Sequence, residues 1–291
     1  MLVLALAACG TEKDEQPKNK VESEASSSEE KVIDKKKNDE KQDGPVAADI
    51  YKKAIAAISE QNSMHITMDV YNNVAVPKRD FSSDTTMKTT LDLIMEPFAL
   101  YQVADTTVGD EEMYLEWYGT EDVLYMYEPS ADLWIDMPAE DRDELVVDMT
   151  ERVDQFLFLE MFEKSADDFT VEETDSAYTV KLKASGKEFN HIIEELVVED
   201  MRAEFDEDED VEIGDINVKN IAIEFSIAKD TFFTNGFNLE LEVSLKVDGV
   251  KMIITQKTKT DVSKLNEIEK IEIPQEVIDN AYTYDELEFE E

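Results

Sequence analysis

Few residues of this 291-residue chain have the types and spacing that chemistry requires. Cys9 is its only thiol, and His65 and His191 are its only imidazoles. Cys9 directly follows Leu6-Ala7-Ala8 and the apolar run Leu2-Val3-Leu4-Ala5. A small-residue site closing an apolar segment is how exported precursors are marked for cleavage. The blander alternative is a buried cysteine beside a short hydrophobic terminus. His65 alternates with apolar neighbours in a strand-like stretch, and His191 falls in a helix-like one. Neither stands in an H-E-x-x-H zinc pattern, and the chain has no G-x-S-x-G elbow and no phosphate-cradling glycine loop. Asp206-Glu207-Asp208-Glu209-Asp210 could hold calcium weakly, but it lacks the glycine and spaced ligands of an EF-hand and reads better as a solvated acidic loop. Two of the 71 acids could meet in space as a glycosidase pair, yet no spacing nominates them. The expectation is a non-catalytic protein with no metal and no cofactor.

The segment Leu6-Ala7-Ala8-Cys9 resembles the lipobox of bacterial lipoproteins. The resemblance implies that a diacylglyceryl group is attached to the Cys9 thiol, that residues 1–8 are removed as signal peptide, and that the mature protein begins at Cys9. Only eight residues precede Cys9 and none is Lys or Arg, so the start given is expected to be truncated relative to a full export signal. Two acyl chains, at about 0.8 kcal/mol per buried methylene, suffice for stable anchoring where one does not. No apolar run reaches the ~20 residues that span a bilayer. The expected partner is therefore the membrane, through Cys9, and the expected location is the extracytoplasmic face of the cell membrane.

The elements that follow must stand off from that anchor. From Gly10 to Gly44 the chain is almost entirely Glu, Asp, Lys, Ser, Asn and Gln, which cannot bury enough apolar surface to fold. Residues 9–45 read as a lipidated, disordered tether with an r.m.s. reach on the order of 30 Å. With one cysteine, no internal disulfide can form, so the folded part, residues 46–291, must be held by its core alone. That part carries the charge. The chain has 28 Lys and Arg against 71 Asp and Glu, a net −43, and residues 10–45 contribute only −3 of it. Such a surface repels nucleic acid and anionic headgroups, and it serves solubility in a saline or alkaline medium.

Periodicity then orders the domain. Val46, Ile50, Ala54, Ile55 and Ile58 recur at helical spacing after Pro45, and the period switches to two at Met64, Ile66, Met68 and Val70. Further alternation at 91–95, 113–117, 123–127 and 133–137, punctuated by Pro and Gly, predicts an antiparallel meander. Residues 139–164 and 187–205 predict helices, with a strand at 178–182. Residues 216–228, 232–247 and 250–260 predict three long strands, the last two joined through Asp248-Gly249.

Two segments, Ala54-Ile55-Ala56-Ala57-Ile58 through Met64-His65-Ile66-Thr67-Met68 and Ile271-Glu272-Ile273-Pro274-Gln275-Glu276-Val277-Ile278-Asp279-Asn280-Ala281, together with this order of elements, resemble the LolA and LppX-like lipoprotein superfamily, and within it the Gram-positive surface lipoproteins of unassigned function. The resemblance implies an α+β fold: a curved antiparallel sheet, an incomplete half-barrel, with helices covering its concave face. It also implies an apolar cavity holding a lipid or other amphiphile. Candidate lining residues are Ile66, Met68, Leu93, Leu115, Phe225 and Leu241. The alternative is an envelope interaction or structural module whose barrel is filled. The sequence sets no oligomeric state.

Overall fold

A computed structural model describes residues 46–58, 60–143, 160–198, 201 and 211–283. The expected cleavage motif at Cys9, the expected tether, the middle of the 139–164 segment and the 206–210 acidic run lie outside these residues.

Helix α1 (Ala47–Ile58) buries Ile50, Tyr51, Ala54 and Ile58 on one side, as the helical spacing requires. The strands are β1 (Ser63–Val76), β2 (Phe81–Ile94), β3 (Ala99–Val108), β4 (Glu111–Thr120), β5 (Leu124–Glu128), β6 (Leu133–Asp136), β7 (Thr170–Glu173), β8 (Ala177–Ala184), β9 (Ile213–Ala228), β10 (Thr234–Val247), β11 (Val250–Ser263) and β12 (Tyr282–Thr283). They form one curved, open sheet in the order β12-β6-β5-β4-β3-β2-β1-β11-β10-β9-β8-β7. Two meanders, β1 to β6 and β7 to β11, are joined because the first long strand pairs with the last, β1 with β11. All pairs are antiparallel except β12 with β6 at the edge. The architecture is the expected half-barrel, not a closed barrel.

Local chemistry accounts for the register. Asp248 and Gly249 both take positive φ, 50° and 75°, which a two-residue hairpin turn demands, and they set Val247 opposite Val250. Gly236 sits at a register shift in β10 with φ 151°, and a Cβ there would collide with the Thr260 carbonyl.

Several elements differ from the sequence expectation. Strand β3 and the first half of β2 carry little alternation, because Thr, Ser and Ala occupy many of their positions. They are strands because β1 and β4 supply pairing partners on either side. The described end of the 139–164 helix is a 3-10 segment, Glu160–Asp168. Its Ser and Asp compete for backbone hydrogen bonds and disfavour an α-helix. The helix expected over 187–205 starts at Lys187 but runs through 3-10, α and π turns to Val198. Leu196, Val197 and Val198 are all buried. An α-helix places successive residues about 100° apart, so three in a row exceed one stripe, and the wider turn accommodates them.

Candidate functional site

The face of the sheet that meets the helices is called inner here, and the register resolves it into rows. One row runs Leu115, Ala104, Thr89, Met68, Thr260, Phe237, Phe225 and Val180 from β4 to β8. The next runs Met87, Val70, Thr258, Leu239, Ile223 and Leu182. A third runs Thr85, Asn72, Gln256, Leu241, Ile221 and Ala184. None of these side chains carries a charge, although the molecule as a whole is at −43. Each row changes character between β11 and β10. The β8 to β10 side is purely apolar, whereas the β1, β2 and β11 side mixes Thr, Asn and Gln with Met and Val.

The apolar side is closed by packing. Tyr51 of α1 stacks on Phe169 with ring centroids 4.8 Å apart, and Phe162 meets Phe225 edge-on at 6.3 Å. The candidate residues divide accordingly. Ile66, Leu93, Phe225 and Leu241 are fully buried in this single core. Met68 and Leu115 are part-exposed. Of the six, Leu115, Met68 and Phe225 share one row; Leu241, Ile66 and Leu93 lie in others. At the β4 and β5 end the inner face stays partly open, with Leu115, Trp117 and Met126 half-buried and Met113 50% exposed.

The mixed side contains polar atoms shielded from solvent without a hydrogen-bond partner: both amide atoms of Asn72, Oε1 of Gln256, Oγ1 of Thr260 and Oγ1 of Thr89; Nε1 of Trp117 on β4 is shielded and unpartnered as well. Asn72 and Gln256 face each other directly across β1 and β11. None of these residues was among the candidates expected from the sequence. In the sequence the apolar period is interrupted at Asn72 in β1 and at Gln256, Thr258 and Thr260 in β11.

The outer face has its own polar contacts. His65 Nδ1 lies 2.6 Å from Asp92 Oδ1 on the neighbouring strand. The hydroxyls of Tyr101 and Tyr114 donate to the two carboxylate oxygens of Glu116, at 3.0 and 2.7 Å. Burial first, and then these bonds to Glu116, raise both phenols well above the ordinary range. His191 Nδ1 is 3.0 Å from the Glu188 carbonyl oxygen, and its Nε2 is shielded without a partner. Among the described residues no three His, Cys, Asp or Glu converge as a metal site, and no helix is long and apolar enough to cross a membrane.

Open clefts lie among the described residues. One of about 520 Å³ lies over β2, β1, β11 and β10, lined by Asp69, Tyr71, Lys88, Glu240, Lys257 and Lys259. A second, about 640 Å³, lies at the sheet end between Asn62, Pro97, Glu121 and Ile268. A third, about 700 Å³, lies at the β6 edge beside Trp134 and Tyr282.

A family model described as a family of unknown function, DUF6612, matches residues 46–282. The chain belongs to that family. Its match begins where the helical periodicity begins and ends on β12, so it takes in the whole described sheet. No curated protein matches the sequence. Structural neighbours of this DUF6612 member include the lipoprotein LppX of Mycobacterium tuberculosis, at 17% identity and a TM-score of 0.38, covering 78% of this chain and 98% of that one. They also include a LolA superfamily protein from Nitrosomonas europaea, at 12% identity and a TM-score of 0.17, covering 80% and 97%. A β-barrel-like DUF1849 protein from Brucella abortus matches at 8% identity and a TM-score of 0.22, covering 70% and 99%.

Proposed function

We propose that this protein is a lipoprotein anchored through Cys9 to the extracytoplasmic face of a Gram-positive cell membrane, and that its half-barrel binds a hydrophobic or amphiphilic molecule on the inner face without catalysing a reaction. The observation that carries the binding reading is the inner face itself. In a chain with 71 acidic residues, the three rows crossing from β2 to β8 hold none, and their β4 end leaves Leu115 and Met113 accessible. An uncharged concavity with a few polar groups is the usual lining of a small-molecule site. The anchoring reading rests on the Leu6-Ala7-Ala8-Cys9 sequence.

A second reading, an envelope interaction module, takes support from the close packing of Tyr51, Phe162, Phe169 and Phe225 over the apolar side. Native mass spectrometry of the full chain extracted from membranes separates the two. A bound lipid adduct is expected. A chain that carries no adduct and takes up neither a fatty acid nor a monoacylglycerol is the interaction module.

A further inference from the structure

Four side chains with unpartnered polar atoms lie together on the inner face, apart from Trp117 on β4 and Thr234 on β10, which also carry such atoms. Asn72, 2% exposed, leaves both its amide oxygen and its amide nitrogen without a partner. Opposite it Gln256, 3% exposed, donates Nε2 to Thr258 Oγ1 at 3.1 Å and leaves Oε1 bare. Thr260, 1% exposed, sits two rows along on the same strand, opposite Met68, and Thr89 stands opposite Met68 on its other side. The hydroxyls of both threonines are bare. The bare atoms of these four residues therefore occupy one patch on three adjacent strands, β2, β1 and β11.

Buried polar groups in folded proteins are nearly always satisfied, and a persistent cluster of exceptions calls for an occupant. Two properties of the patch define that occupant. It offers both acceptors (Asn72 Oδ1, Gln256 Oε1) and donors (Asn72 Nδ2, the threonine hydroxyls), so a matching group must both donate and accept. No Lys, Arg, Asp, Glu or His shares the rows that contain it, so a charged group there would lose its hydration without gaining a counter-charge. The row that holds Thr89 and Thr260 also carries Met68 and, beyond Ala104, Leu115, both part-exposed, which suit an alkyl chain.

We propose that Asn72, Gln256, Thr89 and Thr260 form a neutral hydrogen-bonding subsite for the uncharged head of an amphiphile that carries both a hydroxyl and a carbonyl, such as a monoacylglycerol, with its chain running along Met68 toward Leu115. This rests on the reading of the inner face as a binding surface, and it adds the chemical class of the ligand.

The test uses the full chain with Trp134→Phe, so that Trp117, whose Nε1 is one of the bare inner-face atoms, is the only indole. Its fluorescence is titrated with monoolein, with a long-chain alkene that has no head, and with phosphatidylglycerol vesicles. Monoolein is expected to bind at least tenfold more tightly than the alkene. Asn72→Leu and Gln256→Met are expected to erase that preference and leave the melting temperature unchanged or raised, because neither side chain pairs fully within the protein. Thr260→Val removes one hydroxyl at constant shape and is expected to weaken monoolein alone, which keeps the test open if a larger change fails to fold. Equal binding of monoolein and alkene overturns the subsite and leaves the binding surface standing, with water as the occupant of the patch. Tighter binding of phosphatidylglycerol than monoolein overturns the neutral class. Failure to bind any of the three overturns the binding surface, and the subsite with it.

Discussion

The ring of Tyr51 lies 5.4 Å from that of Phe225, tilted by 57°, and so fixes the first helix of the domain to the inner face of β9, which is more than 160 residues away in the chain. Tyr51 also stacks on Phe169, so it ties three separate segments together. Both Tyr51 and Phe225 are fully buried.

Tyr51→Ala should therefore cost about 3–5 kcal/mol, the range for removing a large buried aromatic, because the rings around it are held by the sheet and cannot collapse into the space. Urea denaturation of the variant against the parent measures it. A loss below about 1 kcal/mol would show that α1 is a peripheral cover and not part of the core.

Glu116 accepts from two phenols at once, and the consequence appears in alkali. Burial, and then the bonds to Glu116, raise Tyr101 and Tyr114 above the ordinary value of 10.0. A phenol whose folded value is raised contributes stability that is complete below its unfolded value and is lost as pH climbs from there through the folded value. Stability should thus decline above pH ~10. In Glu116→Gln the neutral amide bonds the hydroxyls more weakly, so both phenols should titrate earlier, though still late because burial remains. Ultraviolet titration of the tyrosinates resolves this. An unchanged titration curve would mean that burial alone holds the two protons.

Much of the fold was legible because the inner and outer faces impose opposite demands on alternate residues. Phe237, Leu239, Leu241, Val243 and Leu245 of β10 are all buried, and their period of two is unbroken in the sequence. Strand β3 was not legible: its inner positions include Gln102, Ala104 and Thr106, whose weak contrast with Val103 hides the period. The same weakness concealed the candidate site. Ile66, Leu93, Phe225 and Leu241 announced themselves as apolar and are core, whereas Asn72 and Gln256 are buried polar residues that nothing in their own strands singles out. Only the pairing of β1 with β11, between residues far apart in sequence, brings these two amides face to face. Single-strand periodicity contains no information about such long-range pairs.

Cys9→Ser tests the proposed anchor independently of the sheet. The serine hydroxyl does not accept the diacylglyceryl group as the thiol does, so the variant should stay unprocessed or be shed into the medium, while the parent fractionates with the membrane. Cell fractionation followed by immunoblotting reads the difference. Equal membrane retention of the two forms would remove Cys9 from the proposed function.

Leu115 and Leu241 separate an open inner face from a filled one. Leu241 is 1% exposed and sits between Gln256 and Ile221 in the packed part of the sheet. Leu241→Trp must overpack that core, at a typical cost of ~1–3 kcal/mol. Leu115 lies toward the other end of the inner face, half-buried, opposite the small side chain of Ala104. Leu115→Trp should leave stability within about 0.5 kcal/mol of the parent, the range for substitutions away from close-packed sites, and should weaken uptake of a fluorescent fatty acid by occupying the space its chain would take. Thermal melts and a binding titration on each variant provide the comparison. Should Leu115→Trp destabilise as much as Leu241→Trp, and should the parent bind no fatty acid, the inner face would be a closed core from end to end and the interaction module would be the function to pursue.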